Sequence, residues 1–275
     1  MMSKRLFLYI DILGFTELVK NKEKVFKLYR LIDRARIHHD SNFNAIVFSD
    51  TIVAYNRHPN LSDKAKAVEV MYLIELTQDI FNKLIGENIF FRAIITEGEF
   101  FHTELENLEA YFGEALVEAY LEEKKLTGTG LFIDKKLRKF NHVFRFKEFA
   151  VKYDYIFLTH MCSGLTPWLR RNVDQNEQPD FSEFPLPPDL LTLSCYENMV
   201  YPELVHFSEV YENMNNHPDP KVRSSFLTTW NMYSLAYPGL MRSLIAYKLN
   251  PNGLSNLNWE RAKEMYEEEK AEQFN

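Results

Sequence analysis

The chain has 275 residues, a formal net charge of −7, and 46% hydrophobic and 15% aromatic content. That length and apolar fraction suit a large single domain, or one domain with an extension, and the acidic balance argues against nucleic-acid or membrane-surface binding, which needs a basic face. Cys162 and Cys195 are the only cysteines, too few for a disulfide framework or zinc cluster; with no signal-peptide pattern and no bilayer-length apolar run, the expectation is a reduced, cytoplasmic protein that does not touch membranes.

The first apolar run, Leu6 to Ile10, has the length of a buried strand and delivers one acid, Asp11. Ile12, Leu13, Gly14, Phe15 and Thr16 then turn the chain into a helix spanning roughly Glu17 to Ile37. A lone carboxylate at a strand end is costly unless compensated, and a divalent cation is the usual compensation. The amides of the turn and the following helix start form a cradle for phosphate. His38-His39-Asp40 ends the helix and reads as a solvated terminus. Phe43 to Phe48 and Thr51 to Tyr55 are β-rich runs around Ser49-Asp50, a tight hairpin with Asp50 at its tip.

A second long amphipathic helix starts at Leu61-Ser62-Asp63, and Ile89 to Gly98 is a strand carrying one basic residue, Arg92. A loop with several acids follows, a third helix opens at Tyr111-Phe112-Gly113-Glu114 and runs to about Lys125, and Gly128 to Ile133 is a further strand, after which Asp134 caps a short basic helix. This order predicts an α+β fold of ferredoxin-like type, β-α-β-β-α-β-α-β. Beyond about Phe140 the pattern gives two more strands (His142 to Phe149, Tyr153 to His160) and a polar, proline-rich segment from Asn172 to Asp189. Helices follow at about Cys195 to Asn215, Pro220 to Leu249 (kinked or split at Pro238-Gly239) and Asn258 to Gln273. The expected division is a domain over 1–150 and a mainly helical extension over 151–275. His160 and Cys162 read as buried structural residues, and the C-terminal aromatics as core and dimer contact.

Asp11 and Asp50 lie side by side if their strands are neighbours, and two converging carboxylates bind one or two Mg²⁺ or Mn²⁺ ions that in turn hold a triphosphate. The motifs around them resemble those of the class III nucleotidyl cyclase catalytic domain. Asp-Ile-Leu-Gly-Phe-Thr (Asp11 to Thr16) looks like that family's first metal motif, and Phe48-Ser49-Asp50-Thr51 stands where the family has Gly-Asp. Arg92 to Gly98 looks like its Arg-x-Gly-Ile-x-x-Gly strand, and Phe112-Gly113 through Ala119 like the start of its Phe/Trp-Gly-x-x-Val-Asn-x-Ala helix. The match covers roughly the first half of the chain.

The resemblance implies a homodimer with composite active sites. In it Asp11, Asp50 and the Ile12 backbone hold two Mg²⁺ or Mn²⁺ ions, the amides of Ile12, Leu13, Gly14 and Phe15 hold the triphosphate, and Arg92 faces the nucleotide. The ribose 3′-hydroxyl would attack the α-phosphate in line and release pyrophosphate. Purine cyclases read the base at two positions that fall here on Ile46 and Ala110, which lack the polar groups a purine edge needs. Asn44, Phe43, Tyr55 or Arg92 would have to serve a smaller base. With the Gly-x-Ala-Leu-Val-x-Ala-Tyr-x-x-Glu helix, this looks like the pyrimidine cyclases of bacterial antiphage (Pycsar) signalling, which make cyclic UMP or cyclic CMP from UTP or CTP to trigger a separate effector. The family's helix asparagine and transition-state arginine fall at Val117 and Leu121, leaving Lys124, Lys125, Lys147 or Lys152 to substitute. A purine cyclase and a cyclase-like nucleotide-binding domain without activity are the alternatives.

Overall fold

A computed structural model describes residues 3–35, 42–159, 196–254 and 257–273. The histidine pair at 38–39, the proline-rich segment 172–189, His160 and both cysteines lie outside the described residues. The chain divides into two compact units, one formed by residues 1–84, 89–142 and 148–156, the other by 85–88, 143–147 and 157–275.

The first unit is built on β1 (Lys4–Ile12), whose middle is buried on both faces, as its unbroken apolar sequence requires of a central strand. Around it lie β2 (Phe43–Phe48), β3 (Thr51–Asn56), β4 (Phe91–Glu99), β7 (Gly130–Asp134) and β9 (Tyr153–Ile156), in the order β2-β3-β1-β4-β7-β9; β8 (Phe146–Glu148) has its first two residues in the second unit. β1 runs antiparallel to β3 and β4, while β4 and β7 are parallel, so the sheet is mixed. Two helical crossovers, α2 (Lys22–Asp33) between β1 and β2 and α3 (Asp63–Leu84) between β3 and β4, complete a ferredoxin-like arrangement. The α+β expectation therefore holds, including its helical C-terminal part.

The first predicted helix is two. A single turn, α1 (Phe15–Leu18), is separated from α2 by Asn21, which adopts an extended backbone and caps α2 by accepting the Lys24 amide at 3.1 Å. The acid-rich loop after β4 is a two-stranded ribbon, β5 (Phe101–Glu104) and β6 (Glu109–Phe112), closed by stacking of Phe101 on Phe112 at 5.2 Å. The third helix, α4 (Glu114–Glu123), accordingly starts only after Tyr111 and Phe112 have served as strand. Asp134 does cap the basic turn that follows β7, accepting the Lys136 amide at 2.9 Å.

The second unit carries α5 (Tyr196–Asn216), α6 (Pro220–Ala236), α7 (Pro238–Ala246), α8 (Pro251–Leu254) and α9 (Trp259–Glu272). Pro238 splits the long helix that periodicity alone would draw, because it starts α7 where α6 has just ended. Its interior is aromatic, with Phe207 edge-on to Tyr233 at 4.9 Å and Tyr211 against Trp230 at 5.2 Å. His206 is wholly enclosed there, and burial holds its imidazole down at a pKa of about 3, which fits a neutral core residue. Among the described residues no helix is long and apolar enough to cross a membrane.

Gly113 joins β6 to α4 at φ 152°, and a Cβ there would lie 2.2 Å from the Glu99 carbonyl oxygen and 2.7 Å from the Phe100 Cα. Both are main-chain atoms of the β4–β5 junction and have nowhere to go. Gly113→Ala is expected to cost about 2–4 kcal/mol, measured as a lower urea midpoint at unchanged m-value.

Candidate active site

Three neighbouring strands bring the polar residues to one end of the sheet. Asp11 sits directly across from Thr51 on β3 and from Arg92 on β4, so these side chains share a face. Asp50 precedes Thr51, and its carbonyl accepts the Ile12 amide at 2.8 Å, which ties the β2–β3 turn to the end of β1. The turn itself is pinned by the Tyr29 hydroxyl, which donates to the Ser49 carbonyl at 2.9 Å.

The next shell comes from α4. Its inward stripe is Ala115, Ala119 and Glu123, one residue per turn. The first two are small enough for the helix to lie close on β4: a Cβ at Gly98 would come within 3.2 Å of that of Ala115. The stripe then ends in a buried acid. Glu123 accepts from Arg92 Nη1 at 2.5 Å, and Arg92 donates again to the Glu123 carbonyl (3.1 Å) and, through Nε, to the Gly128 carbonyl (3.0 Å). Among the described residues Nη2 is the guanidinium nitrogen with no recorded hydrogen bond.

Asp11, half-buried, therefore faces two further carboxylates. Burial, then the charges of Glu123 and Asp50, push its pKa up to about 7, against the opposing pull of Arg92 and Lys124. Tyr9, two residues back on the same face, has its phenol raised as well, by burial first and in part by Asp11, Glu123 and Asp50. The site is short of positive charge, and its donors are all oxygen. That donor set fits a hard divalent cation such as Mg²⁺ or Mn²⁺, which Asp11 and Asp50 could hold with the Ile12 backbone.

The turn after Asp11 is more selective than its sequence suggests. The Ile12 amide is given to Asp50 and the Leu13 amide to the Phe90 carbonyl at 2.8 Å. The amides of Gly14 and Phe15 have no backbone acceptor recorded among the described residues. Gly14 takes a left-handed conformation (φ 71°) and has open space where a Cβ would stand.

Along the same face the character changes. Ile46 lies across from Val53, itself across from Tyr9, and packs on the Phe7, Tyr9, Tyr55 and Phe100 cluster. Asn44 lies across from Tyr55, which lies across from Phe7, and donates to the Tyr55 hydroxyl at 3.2 Å. At a strand rise of about 3.3 Å per residue, Ile46 is about 7 Å and Asn44 about 13 Å along the strands from Asp11. Ala110 is on β6, opposite Thr103.

Of the four candidate lysines, Lys124 follows Glu123 at the C-cap of α4 and acts on Asp11. Lys125 pairs with Glu122 at 2.7 Å, and Lys152 pairs with Glu118 and reaches Asp134. Lys147 belongs to the second unit. Glu123 closes the helix motif noted in the sequence, but nothing in one dimension assigned it a role. The signal was there as spacing: Ala115, Ala119 and Glu123 fall at intervals of four, which puts the acid on the buried face.

No protein-family model matches the chain, and no curated protein matches it. Among solved structures it is similar to the adenylyl cyclase CyaB from P. aeruginosa (11% identity, 57% of this chain and 95% of that one, TM-score 0.42). It is also similar to a dimeric guanylyl cyclase domain of the RhoGC fusion protein from the aquatic fungus Blastocladiella emersonii (16%, 56% and 93%, TM-score 0.45). A third is the guanylate cyclase domain of RhGC from Catenaria anguillulae in complex with GTP (10%, 57% and 97%, TM-score 0.43). At such values the likeness says nothing of chemistry, which has to be read from this chain's own residues.

Because Asp11 holds its proton more tightly folded than at its ordinary value of 3.8, the metal-free protein loses stability as pH rises from that value to about 7. Chemical unfolding at about pH 5 and about pH 8 should show that loss, and Asp11→Asn should shrink it. Mn²⁺ should restore stability at the higher pH and do little at the lower, because proton and metal compete for the same carboxylate.

Proposed function

We propose that this chain is a nucleotide cyclase that converts a pyrimidine triphosphate, UTP or CTP, to the 3′,5′-cyclic monophosphate and pyrophosphate. The observation that carries the reading is the meeting of Asp11 and Asp50 at the sheet end, with Glu123 adding negative charge that a proton on Asp11 or a bound cation relieves. When bound, two Mg²⁺ or Mn²⁺ ions supply the positive charge that favours ionisation of the ribose 3′-hydroxyl and the departure of pyrophosphate. Asp11 and Asp50 hold them, with the Ile12 backbone as a further ligand. Gly14 and Phe15 offer their amides to the phosphates, and the open space before Gly14 admits them. Leu13 shapes the turn rather than donating to it. Arg92, steadied by Glu123 and the Gly128 carbonyl, keeps Nη2 for the nucleotide. Lys124 is the cation that stands in for the missing transition-state arginine, since it already acts on Asp11.

A nucleotide anchored by its phosphates at Asp11 lays its base toward Ile46 and Asn44. Ile46 offers an apolar surface and Asn44 an amide, a pairing suited to a small ring and poor for reading a purine edge. The composite-site homodimer finds support in α4, whose outer face exposes Val117 (57%) and Leu121 (50%) beside Tyr120. An apolar stripe of this kind marks a partner surface. In the cell the product would act on a cyclic-nucleotide-dependent effector in antiphage defence; support for that role is the resemblance carried by Ile46, Ala110 and the α4 motif.

The test is incubation of the purified protein with ATP, GTP, CTP and UTP and Mn²⁺, with products identified by mass spectrometry. Cyclic UMP or cyclic CMP is expected. Cyclic AMP or cyclic GMP would overturn the base assignment, and no product alongside triphosphate binding would make the chain a nucleotide-binding domain. Asp11→Ala and Asp50→Ala should each lower turnover about a thousandfold, and Lys124→Ala about a hundredfold, without loss of the dimer.

A further inference from the structure

The β5–β6 ribbon gathers a second set of metal-ligand side chains. In its register His102 is opposite Tyr111 and Glu104 opposite Glu109, so all four side chains leave the same face. Two glutamates directly across a two-stranded ribbon repel each other. Among the described residues neither of them pairs with a lysine or arginine; the recorded partners are His102 and Tyr111, both of Glu109. The ligand atoms of His102, Glu104 and Glu109 lie within 4.8 Å of one another.

The imidazole supplies an independent indication. His102 Nδ1 is engaged with the Tyr55 hydroxyl at 3.0 Å, and the ring stacks on Tyr111 at 4.6 Å, which fixes its orientation. Its other nitrogen, Nε2, is shut off from solvent and has no hydrogen-bond partner. It faces Glu109 Oε2 at 3.5 Å, too long for a good hydrogen bond. That separation is close to the ligand–ligand edge of a tetrahedral ion with bonds of about 2.0–2.1 Å, which is about 3.4 Å. Nδ1 held by a neighbour while Nε2 turns to carboxylates is the arrangement of a metal-binding histidine.

We infer that His102, Glu104 and Glu109 form a site for a single Zn²⁺ ion, separate from the Asp11–Asp50 site. One nitrogen and two carboxylate oxygens leave a fourth position for water. The ion would relieve the Glu104–Glu109 repulsion and clamp the ribbon. Through His102 and Tyr55 it would also fix the Asn44 amide.

The experiment titrates chelator-stripped full-length protein with Zn²⁺ by equilibrium dialysis and follows the melting temperature. It compares wild type, Asp11→Asn and the double variant Glu104→Gln/Glu109→Gln built on Asp11→Asn, so that neither mutant can hold an ion between Asp11 and Asp50. One Zn²⁺ per chain should survive in Asp11→Asn and be lost in the double variant. Co²⁺ in place of Zn²⁺ should give intense tetrahedral visible bands in the first two proteins only. Without metal the double variant should melt no lower than Asp11→Asn, since its substitutions remove a repulsion, and Zn²⁺ should raise the melting temperature of wild type and Asp11→Asn but not of the double variant. Zn²⁺ binding that persists in the double variant, or is absent from wild type, overturns the site. So does an equal rise in melting temperature for Asp11→Asn and the double variant. None of these readouts depends on cyclase activity.

Discussion

The first unit is organised around the cost of carrying a carboxylate to the end of its central strand. β1 is paired on both edges and its middle is buried on both faces, until the strand runs out at Asp11 and Ile12. A carboxylate placed there loses much of its hydration, and the surroundings return little of it. Arg92 lies directly across, but its guanidinium is shared with Glu123 and the Gly128 carbonyl. Each element that approaches the site, the β2–β3 turn with Asp50 and α4 with Glu123, brings another acid. The fold leaves that cost uncompensated, and a ligand of opposite charge would be bound partly with the free energy of relieving it.

That end of the sheet is one extreme of a graded surface. Moving back along β1, the face passes from Asp11 to Tyr9, with Val53 and Ile46 beside it, and then to Phe7 and Tyr55, where Asn44 and His102 restore polarity. The apolar middle holds α4 in place through Ala115 and Ala119, and the helix in turn sets where Glu123 and Lys124 stand. Packing and chemistry are thus coupled in one element. A larger side chain at Ala115 would lift the helix from β4, where Gly98 already meets it closely, and would carry Glu123 away from Arg92.

The succession of strands and crossover helices along the chain was legible in the sequence because it depends on local signals: an apolar run, a Gly-containing turn, a polar pair between β-rich segments. The pairing of β1 with β3, which sets Asp11 across from Thr51, could be stated there only as a condition. Glu123 was legible only as a letter in a motif, since its role follows from the register of α4 against β4, a contact between distant parts of the chain. The β5–β6 ribbon was read as a loop because Glu104, Glu106 and Glu109 masked the strand-forming Phe101, Thr103, Tyr111 and Phe112. The charges that hid the ribbon are those that a two-stranded register then sets on one face. The break at Asn21 was similarly hidden, because α1 and α2 keep a helical spacing of apolar residues across it.

A carboxyl that titrates near neutrality also sets how the site is filled. At about pH 7 an empty site holds roughly half a proton on Asp11, so the incoming cation displaces a proton as it binds. On the proposed reading, a triphosphate brings about four negative charges and two divalent ions bring four positive ones. Loading both together leaves the charge around Asp11, Asp50, Glu123, Arg92 and Lys124 nearly unchanged, whereas either alone shifts it strongly. The triphosphate without metal would meet three carboxylates, and the metals without triphosphate would leave their outer faces to water. Under the proposed cyclase reading, these electrostatics would favour entry of the nucleotide as its metal complex and would leave Arg92 and Lys124 to meet the charge that moves during the reaction rather than the charge that arrives with the substrate.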